Sequence, residues 1–401
     1  MRPIPQAAGF YLTVLELVFA LGWTVYVIYL PRLAASVGIS GSAVIIILML
    51  DQAIFTVTDF AMGVAADKVS RLIGRLGHWV AAITLVSCAA FIGLPFVAGA
   101  GVGATTFLAL IVVWAATSSA LRAPPLMLLG KYAARPAIPY LASLAMLGLG
   151  IAGAVSPYLA MTLAKQDPRL PFAIASIALV LTSLALVKVE RALAKQAPAK
   201  SEPPQTVDRA VPASVVMFAL TTVILAFGFQ LHFFFNSPPL FKHFTNDISV
   251  LMPVFWVGFS VGMFPASLIT KRWGGLPVMG AAGLIGAIAI VVMEVSGALG
   301  LAVVAQLIAG AAWGCILMSA FAAAAALGYT GAEGKTTGVL FSALALATFA
   351  RMAASASGAL NDPTLAPLLH WAPTVCWAIA AAILLAFSVA RRRRAAGTAL
   401  P

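Results

Sequence analysis

Residues 59–75 read Asp59-Phe-Ala-Met-Gly63-Val-Ala-Ala-Asp67-Lys68-Val-Ser70-Arg71-Leu-Ile-Gly74-Arg75, a short charged hinge between two long apolar runs. Those runs, 43–64 and 79–99, are each long enough to cross a bilayer, because roughly 20 apolar residues in a helix span its hydrocarbon. Working outward from the hinge, comparable runs fall at 9–30, 105–129, 138–162 and 170–188, and again at 213–235, 249–270, 276–297, 300–327, 336–360 and 366–390. The pattern predicts an all-α membrane protein with twelve transmembrane helices. Alternating ten-residue strands, the mark of a spanning barrel, are not what the sequence shows.

Composition agrees with a chain whose surface faces lipid. Of 401 residues, 62% are hydrophobic and 9% charged, against roughly 25% charged in a soluble domain; the mean hydropathy is +1.04. In lipid every backbone polar group must find a partner within the protein, which helices achieve. The net charge of +12 does not point to nucleic acid, because the cations sit in short clusters between apolar runs. Cys88, Cys315 and Cys376 lie inside apolar runs and read as packing residues. His78, His232, His243 and His370 lack metal-ligand spacing. No Gly-x4-Gly-Lys-(Ser/Thr) phosphate loop occurs. Neither an enzyme nor a metal or cofactor site is expected. Arg2 and the apolar run behind it resemble a signal peptide, but that run continues through Leu30 and reads as the first span.

Lysine and arginine positions orient the chain. With both termini cytoplasmic and twelve crossings, 18 of the 24 cations fall inside, 4 fall outside (Arg32, Lys165, Arg169, Lys242), and Arg122 and Arg351 lie within spans. That asymmetry is what the positive-inside rule requires, and it predicts a multi-pass protein of the plasma (bacterial inner) membrane. The polar stretch 189–212, rich in Pro, Lys and Glu, reads as a cytoplasmic linker. It divides the chain into an N-terminal six-helix bundle, 1–188, and a C-terminal one, 213–401. Such repeats place a binding site near the midplane between the halves.

Within the hinge, Gly63 lets the end of the second helix approach a neighbour closely. Asp67 can accept hydrogen bonds from a facing helix N-terminus and pair with a basic side chain. Asp59, Gly63, Asp67, Lys68, Arg71, Gly74 and Arg75 are therefore read as a cytoplasmic gate that holds and releases the halves.

The hinge resembles the signature of the major facilitator superfamily, Gly-x3-Asp-(Arg/Lys)-x-Gly-(Arg/Lys)-(Arg/Lys), with Ser70 where glycine is usual. The resemblance implies two pseudo-symmetric six-helix bundles and transport by alternating access. A degenerate copy, Gly262-Met-Phe-Pro265 to Lys271-Arg272-Trp273-Gly274, occupies the matching place in the second half without the Asp. Gly148, Gly150, Gly153 and Pro157 loosely resemble the family's antiporter motif but lack its Gly-Pro pair. Asp59, Gly63, Asp67, Gly74, Arg75 and Trp79 are also similar in spacing to glycoside–pentoside–hexuronide cation symporters. Those carry a cation-coordinating acid one turn before the equivalent of Asp59, where this chain has Phe55, which argues against a sodium site of that kind.

Ionisable residues inside spans are costly and mark function. Glu16 shares a face with Thr13 and Thr24; it is read as a substrate and coupling residue, able to take a proton as its cavity changes wetness, with a buried ion pair as the competing account. Asp51 is either a second coupling acid or reaches outward. Arg122 and Arg351, one from each half, suit an anionic group clamped between the halves. Alternatively, Arg122 pairs with Glu16 or Asp59 as a structural bridge. Ala123-Pro124-Pro125 predicts a break in the fourth helix beside it. Gln230, His232 and Asn236, set among Phe227 to Phe235, suit binding of a small organic solute. Trp313 and Gln306 either line the cavity or pack helices, and Glu294 is expected to reach outward. The expected activity is secondary active transport of a small organic solute, with an anionic group and coupled to protons or another cation. An efflux antiporter of drugs or metabolites is the alternative, and a non-transporting sensor or scaffold a distant one. The unit is expected to be a monomer in the lipid bilayer.

Overall fold

The structure, a computed structural model, describes residues 6–71, 75–100, 103–133, 135–196, 213–329 and 331–397. Twelve of its helices are long and apolar enough to span a membrane. They are α1 (Gln6–Ser36), α2 (Val44–Ser70), α3 (Leu76–Gly99), α4 (Ala104–Tyr132), α5 (Ile138–Leu163), α6 (Arg169–Gln196), α7 (Ala213–Lys242), α8 (Met252–Trp273), α9 (Gly275–Glu294), α10 (Leu299–Leu327), α11 (Glu333–Ala356) and α12 (Leu365–Gly397). No strand occurs among the described residues. With twelve crossings, the first described residues of α1 and the last of α12 lie at the same face, here called the terminal face; the other is the distal face.

Helix packing repeats with an offset of six. α1 packs on α5 and α6, α3 on α4 and α6, and α2 on α4; likewise α7 packs on α11 and α12, α9 on α10 and α12, and α8 on α10. The pairs that join the two sets, α2 with α11 and α5 with α8, are exchanged by the same offset. The fold is thus two pseudo-symmetric six-helix bundles meeting along two seams. Small residues set the seams. A Cβ at Gly63 would overlap the Gly334 carbonyl oxygen, and one at Gly153 would overlap the Trp256 indole, so only glycine permits these approaches.

Two elements differ from their sequence outlines. α6 continues to Gln196, so the start of the expected linker is helical; residues 197–212 lie outside the described residues. Glu190 supplies the reason: it is almost fully buried and its Oε2 accepts the Gly77 backbone N–H at 2.7 Å. The carboxylate satisfies a free donor at the start of α3. In α7, residues His232–Asn236 form a π-helical turn, which nothing in an all-round apolar run announces.

Candidate functional site

The first group of site residues comes from α1, α2 and α4. α4 is α-helical to Ser118, tightens to a 3-10 turn over Ser119–Leu121 and resumes at Ala123, with its prolines in the new first turn. There the missing N–H groups cost no helical bond. Arg122 sits at this break. Its Nη1 lies 3.2 Å from Asp59 Oδ2, and its Cζ lies 4.7 Å from the Phe55 ring centroid and 5.2 Å from that of Phe341. Phe341 belongs to α11, so the guanidinium bears on both bundles. Glu16, 6% exposed, lies within the field of Arg122, and its Oε1 has no hydrogen-bond partner. Of the two acids, Asp59 is therefore the one paired with Arg122. Neighbouring Thr13 and Thr24 face α5, donating to the Leu144 carbonyl at 2.5 Å and meeting Ser156 Oγ at 3.0 Å.

Asp51 is fully enclosed. Its Oδ2 accepts the Tyr26 hydroxyl at 2.8 Å and its Oδ1 has no partner. Trp114 covers Tyr26 at a centroid separation of 4.3 Å and stacks on Trp23 at 5.9 Å.

The second group lies between α7 and α11, nearer the distal face. Gln230 Oε1 accepts Arg351 Nε–H at 3.0 Å, and Gln230 Nε2 donates to Thr348 Oγ1 at 2.9 Å. Arg351 Cζ stands 4.4 Å from the Phe234 ring centroid, and Phe234 is 44% exposed. Among the described residues no carboxylate lies within ion-pair distance of Arg351. His232 and Asn236 do not join this group. His232 is fully buried, with Nε2 2.9 Å from Gln306 Oε1 of α10, and Ser237 Oγ bonds the His232 carbonyl at 2.9 Å. Asn236 donates to the His370 carbonyl at 2.7 Å. Both side chains are turned by the π turn into the C-terminal bundle. Trp313 packs there too, stacked on Phe229 at 4.5 Å. Glu294, expected to reach outward, is instead buried and paired with His370 Nε2 at 3.2 Å.

The terminal face is shut. Asp67 Oδ1 accepts the Gly334 N–H at 2.7 Å and Oδ2 the Lys335 N–H at 2.8 Å, the free donors at the start of α11. Lys131 of α4 bonds the Ser70 carbonyl, and Arg135 Cζ lies 3.6 Å from the Tyr329 ring centroid. Both segments of α4 pack on α2 and α3, and the second segment reaches α10 and α11 of the other bundle as well. Lys68, Arg71 and Arg75 are exposed, and Gly74 lies outside the described residues.

Sequence reading missed Tyr26 and Thr348, and the backbone of Gly334 and Lys335; Phe234 stood undistinguished within the run Phe227 to Phe235. A hydroxyl in an apolar helix is the one available signal, and it serves Tyr26 and Thr348 only.

The family model described as Major Facilitator Superfamily matches residues 12–358. The chain belongs to that superfamily. Solved structures share its fold at low sequence identity. The E. coli fucose:proton symporter is 13% identical with a TM-score of 0.62, the alignment covering 96% of this chain and 99% of that one. A proton:xylose symporter, solved with 6-bromo-6-deoxy-D-glucose, is 15% identical with a TM-score of 0.69, over 95% of each chain. A bacterial homologue of the iron transporter ferroportin, in an outward-facing state, is 12% identical with a TM-score of 0.70, over 95% and 99%. No curated protein is similar in sequence. As a superfamily member the chain is a multi-pass membrane transporter for a small molecule, and not an enzyme.

Proposed function

We propose that this transporter moves a small organic solute with an anionic group across the plasma (bacterial inner) membrane by proton-coupled alternating access. The units 1–188 and 213–401 rock about the two seams, with 189–212 as a cytoplasmic linker and both termini inside. Lysine and arginine asymmetry supports making the terminal face cytoplasmic. In that frame the gate residues around Asp67 are closed on the cytoplasmic side.

The observation that carries the coupling is Glu16: a buried carboxyl with an unpartnered oxygen, beside a guanidinium already paired with Asp59. A carboxyl so placed is cheapest to hold neutral while the cavity is shut and to ionise when water returns. Asp51, with its orphaned oxygen, is a second proton carrier. Two of the structural neighbours are proton symporters, which supports the same coupling. The monomer carries the whole path in this reading.

Purified protein in liposomes tests it. Solute entry driven by an inward proton gradient supports symport; extrusion under that gradient supports the efflux-antiport alternative. Glu16→Gln is expected to abolish gradient-driven flux while leaving solute counterflow intact. Unchanged gradient-driven flux in that variant removes Glu16 from the mechanism.

A further inference from the structure

Arg351 and Arg122 are both intramembrane cations, but their surroundings differ in what they leave free. Arg122 has a carboxylate at 3.2 Å and an aromatic ring within 5.2 Å from each bundle. Arg351 has no acid. Its Nε–H is taken by Gln230 Oε1, one face of its guanidinium is taken by Phe234, and none of the described hydrogen bonds uses its two terminal nitrogens. A flipped Gln230 amide would set Nε2 against the Arg351 Nε–H donor and Oε1 against a Thr348 hydroxyl that already donates to the Leu344 carbonyl, so the oxygen is kept toward Arg351.

This leaves the terminal fork, two nitrogens in a plane, without a described hydrogen-bond partner, beside the half-exposed Phe234. A planar carboxylate matches such a fork with two parallel hydrogen bonds. One uncompensated positive charge at membrane depth calls for one negative charge.

We propose that Arg351 is the anion-binding residue of the transport site, that Gln230 is its positioning residue, and that the solute is an organic monocarboxylate. The inference rests on the transport reading above and narrows it, and Arg122 takes no part in binding the anion. The solute's carboxylate lies in the plane of the guanidinium, and its organic body extends away from Arg351 in that plane.

The test uses the full-length protein in detergent, with thermal unfolding as readout and benzoate, phenylacetate and gluconate as probes. Each is compared with its amide, and with succinate and inorganic phosphate. Binding stabilises the folded state by mass action. At least one monocarboxylate is expected to protect the wild type where its amide does not. Arg351→Gln is expected to weaken that protection by roughly 10- to 100-fold in apparent affinity, the loss of a charge-assisted pair. Gln230→Leu weakens it less.

Gln230→Glu is the discriminating variant. It keeps Arg351 held but supplies an internal carboxylate, so protection by the probe should vanish while the unliganded protein melts no lower. Unchanged probe binding in Gln230→Glu would show that the Arg351 charge does not hold the anion. Equal protection by amides, protection that survives Arg351→Gln, preference for phosphate or succinate, or no protection by any monocarboxylate overturns the proposal. Transport itself is judged separately, by the gradient-driven flux and Glu16→Gln described above. A proton-driven flux indifferent to carboxylates would defeat this inference and leave the transport reading standing.

Discussion

The N-terminal bundle pairs its intramembrane arginine with an acid, and the C-terminal bundle leaves its own arginine without one among the described residues. Arg122 is set at a helix break with Asp59 and two rings around it. Arg351 is held by a neutral amide and one half-exposed ring. The same residue type at membrane depth therefore serves two ends. In the reading proposed above, the paired guanidinium fixes helices and the unpaired one receives the ligand. The pseudo-symmetry that relates the helices does not extend to the surroundings of their two arginines.

The largest expected effect breaks that contrast at its structural side. Asp59→Asn leaves the Arg122 charge without its partner, at a cost of about 3–5 kcal/mol, read as a large fall in melting temperature. The double variant Asp59→Asn with Arg122→Gln should recover much of it. Arg351→Gln, by comparison, should cost the unliganded fold about 1 kcal/mol or less. Similar losses from Asp59→Asn and Arg351→Gln would erase the distinction.

A middle-sized effect comes from the seam. Gly63→Val drives side-chain atoms into the Gly334 carbonyl and should cost about 1–3 kcal/mol, concentrated in the shut state. A cysteine placed at Ala325, buried at the terminal face, should then become open to a membrane-impermeant thiol reagent applied to that face, with Cys88, Cys315 and Cys376 replaced. Protection equal to that in the parent would mean that this contact does not hold the face shut.

The smallest effect is at Asp67. Asp67→Asn keeps an acceptor for Gly334 or Lys335 but loses the charge at the start of α11, worth about 0.3–1 kcal/mol. The same labelling should rise by only a few-fold. A change as great as that of Gly63→Val would shift the main closing contribution from packing to charge.

Much of this was legible before any coordinates. Twelve apolar runs, their charged connections and the Gly63–Arg75 hinge fix the fold, because run length and the exclusion of charge from lipid act locally along the chain. The break after Arg122 is equally local, since Pro124 and Pro125 impose it. Partner choice is another matter. Glu16 and Asp59 both lie at a depth that Arg122 can reach, and the sequence carries no record of which faces it across the bundle. His232 reads as lining until the π turn rotates it toward Gln306, and an apolar run with no periodicity cannot reveal an extra residue in a turn. The end of α6 depends on Glu190 meeting Gly77, 113 positions away.

The seam between α2 and α11 has one more consequence. At Gly63, Gly334 and Gly338 the two helices meet main chain to main chain, so there is no side chain to freeze when the face shuts. A lysine or methionine ordered at such a contact would surrender up to about 2 kcal/mol of rotamer entropy at every closure. Glycine surrenders none, so in the proposed cycle the two orientations can stay close enough in free energy for a single proton and a single solute to decide between them.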